Sequence, residues 1–176
     1  TSIGNSAFYE CYSLTSITIP NGVTSIGDYA FYDCSLTSIT IPDGVTSIGD
    51  DAFNGCTRLT SIIIPDGVTI ISDSAFAVCS NLISITVPAS VTEIGDYAFY
   101  GTGENYKFTL PKNLRVIGDY AFGYCDSLGN TTIPSSVTSI GAGAFSGCSS
   151  LESMTLPFVG GSASATSASA STLFGY

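Results

Sequence analysis

The chain contains no histidine and only four basic residues among 176, against fourteen acidic ones, so its formal net charge is -10. A surface of this sign repels the phosphates of nucleic acids and the anionic headgroups of membranes, and we expect neither as a partner. Without histidine, and without close pairs of cysteine ligands, a zinc site is not expected. No G-x-S-x-G motif and no phosphate-binding glycine loop with its lysine occurs either. We therefore expect a protein with no catalytic residues, no cofactor and no bound metal.

The chain also lacks long apolar stretches, although 44% of its residues are hydrophobic and only 10% are charged. None approaches the ~20 residues that a transmembrane helix needs. No targeting segment is visible, but the chain opens with Thr1-Ser-Ile-Gly, which matches the middle of a later segment at residues 24–27, and it has no initiator methionine. These features indicate a piece of a longer protein, so the missing signal says little about localisation.

What the chain does contain is one phrase of about 23 residues, repeated seven times and clearest between Leu14 and Cys34. Proline and phenylalanine both follow this period, at Pro20, Pro42, Pro65, Pro88, Pro111, Pro134 and Pro157 and at Phe8, Phe31, Phe53, Phe76, Phe99, Phe122 and Phe145. Such spacing predicts a stacked repeat solenoid in which neighbouring coils share one continuous core. A stack of this kind has an extended surface, and such surfaces usually bind a partner.

The order of residues within one repeat predicts a strand, a turn, a second strand and a short helical turn. Ile17-Thr18-Ile19 alternates apolar and polar residues, which is typical of a strand, and Pro20-Asn-Gly suits a type I turn. Residues 23–26 form a second extended piece. Asp28 then stands where it could N-cap a helical turn over residues 29–32. We expect the coils to stack about 4.8 Å apart in parallel ladders.

Apolar residues recur at fixed phases and define the predicted core. An Ala-Phe pair is present in all seven repeats, and one column is isoleucine every time, at Ile3, Ile26, Ile48, Ile71, Ile94, Ile117 and Ile140. Each large side chain enclosed between neighbouring coils should contribute roughly 1.5–3 kcal/mol to stability.

Cysteine forms a further column, at Cys11, Cys34, Cys56, Cys79, Cys125 and Cys148. An even number of stacked cysteines allows disulfides. The alternative is a ladder of buried free thiols, which we favour because side chains that point the same way in a stack keep their Cβ atoms further apart than a disulfide prefers.

Aspartate also recurs, at Asp28, Asp50, Asp73, Asp96 and Asp119. A column of carboxylates could form a calcium ladder, but a calcium ion needs several oxygens and each coil supplies one carboxylate. Capping of the helical turn that follows is the interpretation we favour.

Two regions depart from the repeat. In the fifth coil Thr102 replaces cysteine, Asn105 replaces leucine, and residues 101–106 are polar. We assign residues 1–158 to the solenoid, of about seven coils, and residues 159–172, which are rich in glycine, serine and alanine, to a flexible linker. Residues 173–176 are expected to begin a further module or to cover the last coil.

The pattern C-x-x-L-x-x-I-x-I-P-x-x-V-x-x-I-G-x-x-A-F closely resembles the BspA-like leucine-rich repeats, and the resemblance covers residues 1 to about 158. It implies a right-handed leucine-rich-repeat solenoid in which the Leu-x-x-Ile-x-Ile strand lines a concave face. It also implies a protein displayed on the surface of a microbe, acting in adhesion. The family has no catalytic motif that could be carried over.

The outward positions of the predicted concave strands are candidate ligand contacts, because they lie opposite the buried residues of each strand. They are Ser16, Thr18, Ser38, Thr40, Ser61, Ile63, Ser84, Thr86, Lys107, Thr109, Asn130, Thr132, Ser153 and Thr155. The array forms either a polar groove for a protein or glycan or simply a solvated sheet of good strand formers.

Tyrosines that flank the buried phenylalanine are candidate binding hot spots, because tyrosine is enriched at interfaces. They occur in the first two coils, at Tyr9, Tyr12, Tyr29 and Tyr32, and in the fifth and sixth, at Tyr97, Tyr100, Tyr120 and Tyr124. Packing along the edge of the stack is the alternative. The fifth coil also holds three of the four basic residues, Lys107, Lys112 and Arg115, which could orient an acidic partner or reflect drift in a degenerate repeat.

From these features we expect a non-enzymatic binding module of an extracellular microbial surface protein. Its hot spots are predicted at Tyr97, Tyr100, Tyr120, Lys112 and Arg115. The alternative is a structural spacer that holds another domain away from the cell surface. Ile3 and Phe8 have no preceding coil, which predicts either further coils upstream or end-to-end self-association of this chain.

Overall fold

The computed structural model describes residues 1–103, 108–126 and 128–157, which form about six turns of a parallel-strand β-solenoid. The predicted linker and the predicted module at residues 173–176 lie outside the described residues, as do Asn105 and Lys107. Each coil adds one layer to the stack, as the period of the sequence requires.

The described residues form eleven short strands separated by turns. They are β1 (Ser2–Ile3), β2 (Ser25–Ile26), β3 (Ser47–Ile48), β4 (Ser61–Ile63), β5 (Ile70–Ile71), β6 (Ser84–Thr86), β7 (Glu93–Ile94), β8 (Val116–Ile117), β9 (Asn130–Thr132), β10 (Ser139–Ile140) and β11 (Ser153–Thr155).

All strand pairs are parallel and join equivalent residues of neighbouring coils. One ladder follows the proline turn and consists of the sheets β1-β2-β3 and β5-β7-β8-β10, with Ile3 paired to Ile26 and Ile26 to Ile48. The other ladder precedes the proline and contains the pairs β4-β6 and β9-β11, with a single bridge from Thr18 to Thr40 in the first coils. The two predicted extended pieces are therefore confirmed as parallel ladders, although residues 108–110, just before the proline of the fifth coil, form no strand.

The core is a set of columns that run along the stack. The seven phenylalanine rings form one column, in which successive centroids lie 5.2–5.7 Å apart with nearly parallel planes. The separation exceeds the ~4.8 Å coil spacing, so the rings are offset, which is a favourable arrangement for aromatic pairs. Alanine and isoleucine fill the neighbouring columns, and both are fully buried from the second coil onward.

The proline turns are confirmed. The amide of Val23 donates to the carbonyl of Pro20 at 3.0 Å, and the same bond joins Val45 to Pro42. Later coils repeat it, because proline, a turn-forming pair and a buried aliphatic residue recur in each copy.

The predicted helical turn is wrong: no helix occurs in the parts of the chain that the structure describes. Instead, the Ala-Phe segment alternates between bonds within the coil and bonds to the next coil. The amide of Ala30 donates to Gly27 of its own coil at 3.3 Å, while the amide of Phe31 donates to Ala52 of the following coil at 2.8 Å. A helix would direct both amides along its own axis, so stacking between coils displaces it.

Left-handed residues make this alternation possible. Tyr29 and Asp33, four residues apart, have φ values of 55° and 52°, and the equivalent residues of the other coils are also left-handed. Each of the two donates its amide to the next coil, Tyr29 to Asp50 and Asp33 to Asn54. Non-glycine residues adopt this conformation at a cost, and here the hydrogen bonds between coils offset it.

The predicted capping role of the aspartates is also wrong, because each carboxylate binds the neighbouring coil rather than its own. The amide of Asp50 donates to Oδ1 of Asp28 at 3.1 Å. Similar bonds link Asp73 to Asp96, Asp96 to Asp119, and Asp119 to Ala142. In the first coil the acceptor is Asn5 Oδ1. We call this column the aspartate ladder.

The cysteines form a ladder of free thiols. The Sγ of Cys56 donates to the carbonyl of Phe31 in the preceding coil at 3.2 Å, and the Sγ of Cys79 donates to that of Phe53. Burial raises the pKa of the Cys79 thiol to about 12. The column is therefore a hydrogen-bonded part of the core rather than a set of disulfides.

Candidate functional site

The predicted strand face is exposed throughout its described length. Ser61 and Ile63 point outward on β4 while Ile62 between them is buried, and β6 repeats this alternation. The other exposed members are Ser16, Thr18, Ser38, Thr40, Thr109, Asn130, Thr132, Ser153 and Thr155. Lys107 lies outside the described residues. The face is available to a ligand, and its binding role stays a prediction.

Apolar residues interrupt this polar face in the third and fourth coils. Ile63 is 69% exposed and Ile83 is 54% exposed. Ile83 follows the column Thr15, Thr37 and Thr60, so a column-by-column comparison of the repeats could have identified it. Exposed isoleucines on a polar array supply contact area to a partner at low cost in ordering.

A depression of about 760 Å³ adjoins this apolar region and was not anticipated from the sequence. Arg58, Ile83, Tyr124 and Asp126 are among its lining side chains. It extends across several coils because residues such as Thr37 and Gly101, from different repeats, line it together.

The tyrosines of the first two coils pack into one surface cluster. The rings of Tyr9 and Tyr32 stack at 5.0 Å, and Tyr29 contacts both, at 6.3 and 5.8 Å. Tyr9 and Tyr29 keep 45% and 41% of their area exposed, and nearby Tyr12 keeps 60%. We call Tyr9, Tyr12, Tyr29 and Tyr32 the first tyrosine cluster.

Carboxylates are interleaved with these rings. A hydrogen bond to Glu10 raises the pKa of Tyr12 to about 12. The charge of Asp51, and a hydrogen bond to it, raise the pKa of Tyr29. Both effects arise because ionising a phenol beside a carboxylate is unfavourable. The first cluster therefore combines exposed aromatic rings with fixed negative charge.

The tyrosines of the fifth and sixth coils form a second cluster. Tyr97 stacks on Tyr120 at 5.3 Å and contacts Tyr100 at 5.6 Å, while Tyr100 contacts Tyr124 at 5.4 Å. We call these four residues the second tyrosine cluster. The structure thus brings together all four tyrosines that the sequence analysis names in these two coils, including the three predicted hot spots Tyr97, Tyr100 and Tyr120.

Two rings of the second tyrosine cluster pack directly against glycines of the next coil. A Cβ atom at Gly143 would collide with the ring of Tyr120, and one at Gly147 with the ring of Tyr124. Both glycines have positive φ values, 60° and 72°. The rings of Tyr120 and Tyr124 therefore lie against bare backbone of the next coil, which favours edge packing, while the exposed surfaces of Tyr97 and Tyr124 leave the hot-spot interpretation as a prediction.

The two predicted basic hot spots lie in a different part of the coil. Lys112 is in the proline turn and Arg115 lies just before β8, and both side chains are exposed. The tyrosines of the same coils follow the strands of the ladder that comes after the proline turn, β7 and β8. Lys112 and Arg115 thus belong to the turn region rather than to the tyrosine cluster.

Backbone amides already occupy one oxygen of the carboxylates in the aspartate ladder, and the second oxygen of Asp28 accepts a hydrogen bond from Nδ2 of Asn5. Desolvation raises the pKa of the Asp50 carboxyl, and the charges of Asp73 and Asp28 raise it further. Within the described residues, no group of three or more acidic or cysteine side chains is placed to hold a metal ion. In the same part of the chain, no helical segment has the length and hydropathy needed to span a bilayer.

Comparison with known proteins identifies the repeat. The family model for the BspA type leucine-rich repeat region matches in six copies, over residues 1–128 and 92–163. A search of curated proteins found no match.

Solved structures share the fold. A leucine-rich repeat protein from Bacteroides ovatus is 38% identical, with a TM-score of 0.77, over 82% of this chain and 40% of that protein. The leucine-rich repeat protein TpLRR of T. pallidum is 28% identical, with a TM-score of 0.54, over 80% of this chain and 69% of that one.

The pneumococcal vaccine antigen PcpA is 22% identical, with a TM-score of 0.63, over 88% of this chain and 48% of that one, and it shows the fold alone. This chain spans less than half of the Bacteroides ovatus protein. With the stacked coils and the matched repeats together, the chain belongs to the BspA-type leucine-rich repeat family.

Proposed function

We propose that this chain is a non-enzymatic, adhesive binding module of a microbial cell-surface protein, and that it contacts an extracellular protein or glycan. The observation that carries the proposal is the pair of exposed tyrosine clusters on a stack with a continuous buried core. Tyrosine gives large contact area at low entropic cost, and a rigid support keeps that cost low.

The strand face adds a second contact region. Its exposed serines and threonines repeat at the coil spacing, so a long partner can make several equivalent contacts, and Ile63 and Ile83 add exposed apolar area. Repeated weak contacts raise overall affinity when their spacing matches that of the partner. Family membership supports an interaction role, and the extracellular location and adhesion are our extension of it.

The experiment is a binding screen with immobilised extracellular-matrix proteins and a glycan array as probes, followed by titration of any hit. We expect saturable binding that Tyr97→Ala/Tyr100→Ala weakens at least tenfold with an unchanged melting temperature. The control Asp43→Ala/Asp66→Ala changes two exposed turn residues and should bind normally. Equal weakening by both pairs would contradict a role for the second tyrosine cluster.

A structural spacer is the second candidate function. The regular stack favours it, since each coil extends the molecule by a fixed increment. A spacer would show no saturable binding to any probe in the screen, whereas a binding module would.

End-to-end association of the chain is a further proposal. Ile3 and Phe8 of the first coil are only half-buried, while their counterparts in the second coil are buried. Light scattering at increasing concentration should show growing particles. A strict monomer at high concentration would contradict association.

A further inference from the structure

Charge is distributed unevenly along the stack. The first 57 residues contain six acidic residues, Glu10, Asp28, Asp33, Asp43, Asp50 and Asp51, and no lysine or arginine. All four basic residues lie between Arg58 and Arg115. The first 57 residues therefore present negative charge that no basic side chain of the same stretch neutralises, and the first tyrosine cluster lies among these carboxylates.

Rings and carboxylates alternate in this region because of the left-handed positions. Glu10 and Asp33 occupy the second left-handed position of successive coils, with φ values of 55° and 52°. Asp51 occupies the first such position of the third coil, the phase that Tyr29 holds in the second coil. Tyr9 and Tyr32 lie between these positions and stack on one another. The surface is thus a mixed strip of aromatic rings and carboxylates, fixed by the backbone.

Such a strip has the chemistry that recognises ammonium and guanidinium groups. An aromatic face attracts a cation, and a neighbouring carboxylate adds a charge-assisted hydrogen bond. Glu10 and Asp51 lie close enough to the phenols of Tyr12 and Tyr29 to raise their pKa values, so each ring has a carboxylate beside it. This arrangement suits long cationic side chains better than a compact metal ion, for which the described residues offer no three converging ligands.

We propose that the first tyrosine cluster, with Glu10, Asp33 and Asp51, binds a lysine- or arginine-rich extended segment of a partner protein. The inference rests on the proposed binding function and specifies the partner chemistry at one end of the stack. The carboxylates lie on neighbouring coils about 4.8 Å apart, and basic residues at alternate positions of an extended segment lie about 6.8 Å apart, a difference that the long side chains of lysine and arginine can span.

The second tyrosine cluster is an internal comparison. Its coils carry Gly101 and Tyr124 where the first two coils carry Glu10 and Asp33. The second tyrosine cluster therefore has the aromatic rings but no carboxylates at these left-handed positions. We expect it to lack the preference for cations.

The test is a fluorescence-anisotropy titration of the chain with a labelled peptide of alternating lysine and glycine. A peptide of alternating glutamate and glycine is the negative probe. We expect saturable binding of the lysine peptide alone, with an affinity that falls as salt rises. Absence of saturable binding to the lysine peptide would overturn the proposal.

Charge variants distinguish binding at the proposed site from general attraction of the lysine peptide to the negative net charge of the protein. Glu10→Gln/Asp33→Asn/Asp51→Asn should weaken binding at least tenfold, because these changes keep shape and remove three charges. Asp43→Asn/Asp66→Asn/Glu152→Gln removes three exposed charges elsewhere and should weaken it less than threefold. Equal losses in the two variants would show attraction to net charge only and would overturn the site.

Aromatic variants test the rings. Tyr9→Leu/Tyr12→Leu should weaken binding of the lysine peptide about fivefold or more, whereas Tyr97→Leu/Tyr124→Leu should leave it unchanged. Equal losses would contradict the assignment to the first cluster. Thermal unfolding of each variant confirms folding. The matrix-protein screen tests the second tyrosine cluster, through its Tyr97→Ala/Tyr100→Ala variant, whereas the lysine peptide tests the first. The proposed function and this inference can therefore fail independently.

Discussion

At the scale of single residues, the glycine of the Ile-Gly-Asp phrase has a specific purpose. A Cβ at Gly49 would collide with Oδ1 of Asp28 in the preceding coil, and Gly95, Gly118 and Gly141 have the same relation to the aspartate before them. Gly4 of the first coil meets nothing within 4 Å. The glycine is therefore required by close approach of the aspartate ladder rather than by breaking a strand.

This relation predicts unequal effects for one substitution at equivalent positions. Gly49→Ala should destabilise the protein by about 1–3 kcal/mol, since the added methyl forces the ladder apart. Gly4→Ala should change stability by less than about 1 kcal/mol. Any change should be stabilising, because alanine lowers the conformational entropy of the unfolded chain. Urea denaturation of both variants gives the comparison. Similar free energies of unfolding for the two would contradict the contact.

The cysteine thiols should differ in reactivity by position. Burial raises the pKa of Cys125 to about 12, and Cys79 is equally buried, so neither offers a reactive thiolate near neutral pH. Cys11 in the first coil is only half-buried. Iodoacetamide at pH 8 should label Cys11 within minutes and leave Cys79 and Cys125 unlabelled until the protein is denatured, as mass spectrometry of peptides would show. Equal labelling of all three would contradict the buried ladder.

At the scale of elements, the aspartate ladder replaces the helix that the sequence predicts. From one repeat alone, Asp28 followed by residues 29–32 is a reasonable capped turn. The hydrogen-bond partners lie one coil away, and a single repeat contains no information about them. Asn5, which stands where later coils have aspartate, is the one sequence signal of this ladder. Its amide oxygen accepts a hydrogen bond from the backbone N–H of Asp28, as a carboxylate oxygen does in the later coils.

The aspartate ladder predicts that the hydrogen-bond acceptor oxygen of each side chain contributes more to stability than its negative charge does. Asp96→Asn should alter stability by less than about 0.5 kcal/mol, since it keeps an acceptor for the amide of Asp119 and lowers repulsion. Asp96→Ala should cost about 0.5–1.5 kcal/mol because that hydrogen bond is lost. Chemical denaturation of both variants is the measurement. An equally large loss for the two would show that charge, not the acceptor, holds the coils.

The sequence predicted correctly those core residues that contact the equivalent residue of the next coil. The phenylalanine, isoleucine and cysteine columns follow directly from the period, because identical neighbours in a stack meet each other. It failed at the left-handed residues, since Tyr29 and Asp33 are unfavourable there and only bonds between coils select that conformation. The exposure of the strand face was predictable, while the clustering of tyrosines depended on side-chain packing across coils.

At the scale of the whole molecule, the buried thiols make stability depend on alkaline pH. The pKa of Cys34 rises from 9.0 to about 11 and that of Cys79 from 9.0 to about 12. The folded state therefore holds its thiol protons after the unfolded state has lost them. This contribution is fully present below pH 9 and is lost as pH rises from 9 through 12.

The free energy of unfolding should accordingly begin to fall between pH 9 and 10, and from about pH 10 the tyrosines with raised pKa values add to the loss, because tyrosine in the unfolded chain ionises there. Urea denaturation at pH 8, 9 and 10 measures the slope. Cys79→Ala/Cys125→Ala should lower the starting stability and flatten the slope. An unchanged slope in this variant would contradict burial of the thiols.

The central claim is that coils stack in register at one spacing. Spin labels on pairs of exposed strand-face threonines, in a background with Cys11 and Cys148 replaced by alanine, measure it by pulsed electron resonance. Thr18/Thr132 and Thr40/Thr155 are both five coils apart and should give equal distances of about 24 Å, while Thr18/Thr155, six coils apart, should be about 5 Å longer. Unequal distances for the five-coil pairs, or no increase with the sixth coil, would contradict the stacked solenoid.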